Sequence, residues 1–71
     1  MYISVTFPLS INKDTVKRVI EGNLKTNSPY TCMVEFLREQ DQENLFQITA
    51  YHPMAFYYIG MTASEIISRV S

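Results

Sequence analysis

The sequence is poor in the residues that staple small proteins or build specialised sites. Its 71 residues include one cysteine, two glycines and no tryptophan. A lone cysteine cannot close an internal disulfide or supply a four-ligand zinc site, and two glycines are too few for the usual phosphate-binding loop. We therefore expect neither a metal nor a cofactor, and stability that comes from packing or from self-association.

Membrane and secretion signals are also missing. The uncharged stretch 50–64 is interrupted by histidine, proline and glycine, and is shorter than the roughly 20 apolar residues that a membrane-spanning helix needs. The first residues, MYISVTFP, lack the basic and apolar segments of a secretory signal. The sequence therefore predicts no membrane segment and a cytoplasmic location.

Neither sign of charge dominates, since the formal net charge is −1. A nucleic-acid-binding module usually carries a dense basic stripe, which this sequence does not. The basic residues that could contact phosphates lie on the first predicted helix and in the loop after it, and they are Lys13, Lys17, Arg18 and Lys25. A solvated helix face explains these residues equally well.

The composition indicates a folded chain, because 46% of the residues are hydrophobic and 13% are aromatic. We predict a single small α+β domain over residues 1–71. A chain of this length buries only about 60% of the surface that it exposes when unfolded, so its core is small and its stability marginal. Contacts with a partner are therefore expected to matter.

Alternation of apolar and polar residues predicts three strands. Residues 2–7, 30–38 and 45–51 have the period of half-buried strands. The polar segment 39–44 between the second and third of these has the length of a hairpin loop. The sequence therefore predicts an antiparallel hairpin preceded by a separate N-terminal strand.

Helical spacing begins after Pro8. It predicts a helix from Lys13 to Glu21 or one turn further, with Asn12 as the N-cap. The pair Gly22-Asn23 is suited to the left-handed conformation that ends a helix. Residues 25–29 are predicted to form a loop.

The segment after residue 51 has two interpretations. In the preferred one, residues 52–55 form a turn, residues 56–61 form a strand, and a helix starts at Thr62 with Glu65 completing a capping box. The element order is then β-α-β-β-β-α. In the alternative, one longer helix starts at Pro53 and the order is β-α-β-β-α. Both orders predict a small antiparallel sheet packed against two helices.

The sequence has more large apolar side chains than one small core can hold, because strand alternation directs several of them away from the helices. Tyrosine and methionine are common at protein interfaces. The candidate partner-binding residues are Tyr2, Met33, Leu37, Tyr51, Tyr57 and Met61. In the other interpretation, helices cover both faces of the sheet.

Catalytic chemistry has little support in the sequence. We interpret the only histidine, His52, as part of a turn and Cys32 as a small buried side chain, because no nucleophile, base and orienting group are evident together. We expect a non-enzymatic protein-binding module, such as an inhibitor, adaptor or regulator. It is expected to associate with another protein, or with itself as a homodimer, through a sheet face or edge rich in tyrosine and methionine. The alternative is a nucleic-acid-binding module that uses the basic first helix.

Overall fold

Three strands and two helices follow one another in the order β-α-β-β-α in the computed structural model, which describes residues 1–70. The elements are β1 (Tyr2–Pro8), α1 (Lys13–Asn27), β2 (Cys32–Gln40), β3 (Glu43–Ala50) and α2 (Pro53–Val70). The α+β class is confirmed, and the observed order is the alternative five-element one. Ser71, the last residue of the predicted domain, lies outside the described residues. No helix within residues 1–70 has both the length and the apolar character to cross a membrane.

The sheet is antiparallel, with strand order β1-β3-β2. We call the face that packs against the helices the inner face. Val34 of β2 lies there directly opposite Ile48 of β3, and Phe46 lies two residues before Ile48 on the same strand. The buried apolar residues come from this face, from both helices and from the turn before α1, and they are Phe7, Ile11, Val16, Ile20, Leu24, Val34, Phe46, Ile48, Ala50, Ala55, Ile59 and Ile66. Both helices therefore cover the same face, and the interpretation with helices on both faces is wrong.

The start of α1 is as predicted, but its end is not. The Asn12 side-chain oxygen accepts the backbone N–H of Asp14 at 2.8 Å, as an N-cap does. The helix does not stop at Gly22; it continues to Asn27, because Leu24 is needed in the core, where it is 1% exposed. Ser28 ends the helix, since both its N–H and its hydroxyl donate to the Leu24 carbonyl.

The hairpin between β2 and β3 is tighter than predicted. Its turn contains only Asp41 and Gln42, whose φ angles are 53° and 64°. Positive φ at both central residues is typical of the type I′ turn, whose twist matches that of paired strands. The polar residues around this turn therefore extend the strand pairing, and the register shifts between Phe36 and Arg38, where β2 bulges.

The predicted strand 56–61 is wrong, because these residues form the first half of α2. Ala55, Ile59 and Ile66 recur at helical spacing and are all buried against α1 and the sheet. The burial of this face outweighs the strand preference of the aromatic residues and the cost of Gly60, whose surroundings are open.

The predicted helix start at Thr62 is wrong, because α2 begins at Pro53 and His52 caps it. The imidazole Nδ1 of His52 accepts the Met54 N–H at 3.1 Å, and its carbonyl accepts the Ala55 N–H at 3.0 Å. Thr62 is buried in mid-helix, where its hydroxyl donates to the Tyr58 carbonyl and accepts from the Asn23 amide at 3.1 Å. The Thr62 hydroxyl thus joins the two helices instead of capping one of them.

Candidate functional site

The outer face of the sheet, opposite the helices, carries half of the predicted partner-binding residues. Tyr2 and Met33 lie in one row on either side of Thr49, and they are 65% and 47% exposed. Leu37, at the bulge of β2, is 41% exposed. The middle row is polar and consists of Ser4, Gln47 and Glu35. The outer face is therefore an exposed mixed surface whose apolar residues lie at its two ends.

The other predicted partner-binding residues do not belong to this surface. Tyr57 and Met61 were expected on a strand, but both are on α2, in the layer on the other side of the sheet. They are exposed there, as is Tyr51 in the turn between β3 and α2. The six residues thus form no continuous site, and only Tyr2, Met33 and Leu37 share a face.

One edge of the sheet is blocked by side chains of α1. The Glu21 carboxylate accepts the Val34 N–H at 2.8 Å, and the Lys17 ammonium donates to the Val34 carbonyl at 3.0 Å. Lys17 and Glu21 also form an ion pair at 2.8 Å, one helical turn apart. We call this outward side of β2 the capped edge, because both outward backbone groups of Val34 already have partners.

The opposite edge is formed by β1 and has no such cover. The Ala50 N–H donates to the Met1 carbonyl, so Met1 and Ala50 form a hydrogen-bonded pair. In an antiparallel ladder such pairs alternate with pairs whose N–H and C=O groups point away from each other. By the observed register, the outward groups of β1 belong to Tyr2, Ser4 and Thr6.

These outward groups have no partner in the part of the chain that the structure describes. We call the N–H and C=O groups of Tyr2, Ser4 and Thr6 the free edge. It ends at Pro8, which has no N–H and whose carbonyl accepts the Ile11 N–H at 3.0 Å. Sequence reasoning identified β1 as a strand but did not predict the strand order, since that order depends on contacts between distant residues.

The four basic residues proposed for phosphate contacts are divided between two sides of α1. Lys17 is held by Glu21 and Val34, and the Lys13 ammonium lies 4.3 Å from the centre of the Phe36 ring. Arg18 and Lys25 are seven residues apart and therefore share a different face of the helix. The helix thus presents no single basic stripe.

Cys32 has the environment of an unreactive thiol. The pKa of the Cys32 thiol is raised to about 11, chiefly by burial and also by the negative charge of Glu21, while the positive charge of Lys17 opposes the shift. A thiol with this pKa is protonated at neutral pH and is a poor nucleophile.

The side chain of His52 makes contacts that stabilise the local structure. Its ring stacks on Tyr30, with the ring centres 4.7 Å apart, while Nδ1 caps α2. A shallow recess of about 200 Å³ lies beside the stacked rings and is lined by Pro29, Tyr30, Thr31, Tyr51 and His52. No group of three or more metal-ligating side chains comes together within residues 1–70.

No protein-family model, curated protein or solved structure matches the chain. The fold defines it as a two-layer α+β protein, with a three-stranded antiparallel sheet covered on one face by two helices. Function must therefore be inferred from the protein's own surface, in which the free edge and the outer face are contiguous at Tyr2, Ser4 and Thr6.

Proposed function

We propose that the protein is a non-enzymatic protein-binding module, acting as an inhibitor, adaptor or regulator in the cytoplasm. It binds by adding an extended segment of its partner to the free edge of β1. In this mode of recognition, backbone hydrogen bonds supply affinity and alternate side chains supply specificity. The observation that supports the proposal is that side chains of α1 bind the outward backbone groups of Val34, whereas the outward groups of β1 have no partner within residues 1–70.

Exposed strand edges promote aggregation, and proteins usually block them with charges, bulges or covering side chains. The capped edge has all of these features: the bulge at residues 36–38, the charged residues Glu35 and Arg38, and the cover that α1 provides at Val34. The strand β1 has the sequence YISVTFP, which has no charge and only a terminal proline. An uncovered and uncharged edge of this kind is able to pair with a strand of another chain.

Side chains next to the free edge can supply specificity. A strand that pairs with β1 would place alternate side chains beside Tyr2 on the outer face and beside Ile3 on the inner face, where Ile3 is 36% exposed. Met33 lies two strands away in the row of Tyr2 and extends the apolar surface. Tyrosine and methionine adapt their contacts to different partners at little entropic cost.

The environments of Cys32 and His52 support a non-enzymatic role, because the thiol is protonated and the imidazole Nδ1 accepts a backbone N–H. A free thiol is also typical of proteins in a reducing compartment such as the cytoplasm. The division of the basic residues of α1 supports a protein partner over nucleic acid, since Lys17 is already paired with Glu21 and Val34.

The test compares two substitutions at one residue of the free edge. Ser4→Pro removes an outward N–H and places a ring at the edge, while the hydrogen bonds between β1 and β3 stay intact. Ser4→Thr keeps the N–H and strand preference, and serves as the matched control. Each variant is used as bait with lysate from the native host, and the retained proteins are quantified by mass spectrometry.

We expect specific partners, including any second copy of the chain, to be retained by the wild type and by Ser4→Thr and lost by Ser4→Pro. Retention of the same proteins by all three baits would contradict binding at the free edge. Circular dichroism of the two variants checks that both are folded.

A further inference from the structure

We propose that the partner strand at the free edge is β1 of a second copy of this chain. The two strands pair antiparallel about a two-fold axis at Ser4 and join two three-stranded sheets into one continuous sheet. This inference rests on the proposed function, because it names the partner of the same edge.

The hydrogen-bonding pattern of the free edge is complementary to itself. Its outward residues are Tyr2, Ser4 and Thr6, so its midpoint is Ser4. Antiparallel pairing about this midpoint places Tyr2 opposite Thr6 of the second copy, and Ser4 opposite Ser4. Every outward N–H then faces an outward C=O, and none is left without a partner.

Displacing the axis from Ser4 loses hydrogen bonds. An axis shifted toward the end of β1 would place Tyr2 or Ser4 opposite Pro8, which offers no N–H and whose carbonyl is already occupied by Ile11. An axis shifted toward residue 2 would pair fewer outward residues, because β1 begins there. The register centred on Ser4 is therefore the only one that uses the whole free edge.

The side chains that meet across this axis are compatible. On the outer face, an aromatic residue, Tyr2, meets a β-branched one, Thr6, which is a favourable cross-strand pair. On the inner face, Ile3 meets Val5 of the second copy. Ile3 is 36% exposed and Val5 is half-buried in the single chain, so the pairing continues the apolar layer from one subunit into the other. No charged residue lies on β1, so like charges do not oppose each other.

The size of the domain favours a second copy. A chain of 71 residues has a small core, and a symmetric pair enlarges the buried apolar surface without any further sequence. A two-fold interface uses the same patch on both subunits, which requires a patch that is complementary to itself. The free edge meets this requirement at Ser4.

The test uses opposite charges at the two-fold axis. In Ser4→Lys and in Ser4→Glu, like charges face each other across the axis, and we expect each variant to raise the dissociation constant of the dimer at least about tenfold. An equimolar mixture of the two variants places opposite charges there and should restore the dimer. Sedimentation velocity over a concentration series measures the wild type, each variant and the mixture.

The matched controls are Gln47→Lys and Gln47→Glu, since Gln47 lies beside Ser4 in the same row but on the central strand. These controls should leave the dissociation constant unchanged. A wild type that stays monomeric throughout the series, or a mixture that associates no better than its components, would overturn the inference. Dissociation by the Gln47 variants alone would overturn it too, because it would place the interface on the outer face.

Failure of this inference can be told apart from failure of the proposed function. A monomeric wild type whose other partners are lost only in Ser4→Pro would disprove self-pairing and leave the free edge as a binding site for another protein. A monomeric wild type whose partners are retained by Ser4→Pro would disprove both.

Discussion

The two edges of the same small sheet differ in whether their outward backbone groups have hydrogen-bond partners. At the capped edge, Val34 has its N–H bound by Glu21 and its carbonyl bound by Lys17. At the free edge, the N–H and C=O groups of Ser4 and its alternate neighbours have no partner in residues 1–70. Two charged side chains therefore cover the β2 edge at Val34, while the outward groups of β1 stay available.

This difference shows that the open edge is not a general consequence of small size. The helix α1 reaches the capped edge because it packs over β2. The cover comes from Lys17 and Glu21, which lie one helical turn apart and form an ion pair. The edge at β1 lies on the other side of the sheet, beyond the reach of these side chains. Side chains of α1 cover β2 at Val34, whereas none covers the outward groups of β1, and this contrast supports the proposed use of β1.

Removing the carboxylate at the capped edge should have the strongest effect on stability. Glu21→Ala leaves the Val34 N–H without an acceptor beside the core and removes the ion-pair partner of Lys17. We expect the free energy of unfolding to fall by about 2 kcal/mol, measured by chemical denaturation. Glu39→Ala, an exposed carboxylate on β2, should change it by less than about 0.5 kcal/mol. Equal losses for the two variants would show that capping contributes nothing.

Removing the ammonium at the capped edge should cost less. Lys17→Met keeps most of the aliphatic side chain but removes the donor to the Val34 carbonyl, which water can partly replace. We expect a loss of about 1 kcal/mol in the same denaturation assay. Arg18→Met, on another face of α1, is the control and should be close to neutral. A larger loss for Lys17→Met than for Glu21→Ala would contradict this ranking of the two hydrogen bonds.

The hairpin turn holds β2, and therefore the capped edge, against β3. Gln42 has a φ angle of 64°, a conformation that glycine adopts without steric cost. We expect Gln42→Gly to raise the free energy of unfolding by roughly 0.5 kcal/mol, after the entropy lost by glycine is included. Gln40→Gly, in the adjoining strand, is the control and should lower it. The hairpin geometry would be wrong if both variants were destabilising.

The thiol at the start of β2 should report on the capped edge only at alkaline pH. The pKa of Cys32 is raised to about 11 in the folded protein, so between about pH 9 and about pH 11 the folded state holds a proton that the unfolded state loses. Stability should therefore decrease with rising pH in this window, and less steeply in Cys32→Ala. Denaturant midpoints across the window measure the difference between the two proteins. Parallel pH profiles would contradict the raised pKa.

Local patterns predicted much of the fold. Alternation identified β1 and the β2–β3 hairpin, and Asn12 identified the start of α1, because these signals depend on residues close in sequence. The longer extent of α1 was missed, since its last turns are stabilised by burial of Leu24 in the core. A glycine in mid-helix is tolerated when the helix is held by its packing.

The first half of α2 was mispredicted for a similar reason. Phe56, Tyr57 and Ile59 prefer strands locally, but the burial of Ile59 together with Ala55 at helical spacing decides the structure. Because Tyr57 and Met61 belong to α2, they do not lie on the sheet as predicted. Local preference is weak compared with the burial of a whole helix face.

The candidate site was only partly visible in the sequence. Alternation correctly placed Tyr2 and Met33 on one face, but strand order is set by contacts between distant residues. The bonds from α1 to Val34 span 17 residues for Lys17 and 13 for Glu21, and no local pattern encodes them. The spacing of Lys17 and Glu21 one helical turn apart is compatible with an ion pair, but it carries no information on the position of that pair over a strand edge.

Residue-by-residue amide hydrogen exchange tests the difference between the two edges most directly. It is measured at protein concentrations above and below the dissociation constant of the proposed dimer. The Ser4 and Thr6 amides should be protected in the associated protein and exchange rapidly after dilution, while the Val34 amide stays protected at both concentrations. Protection of the Ser4 and Thr6 amides in the dilute protein would contradict a free edge at β1, and rapid exchange there in the concentrated protein would contradict self-pairing at that edge. Loss of protection at Val34 on dilution would contradict a capped edge at β2.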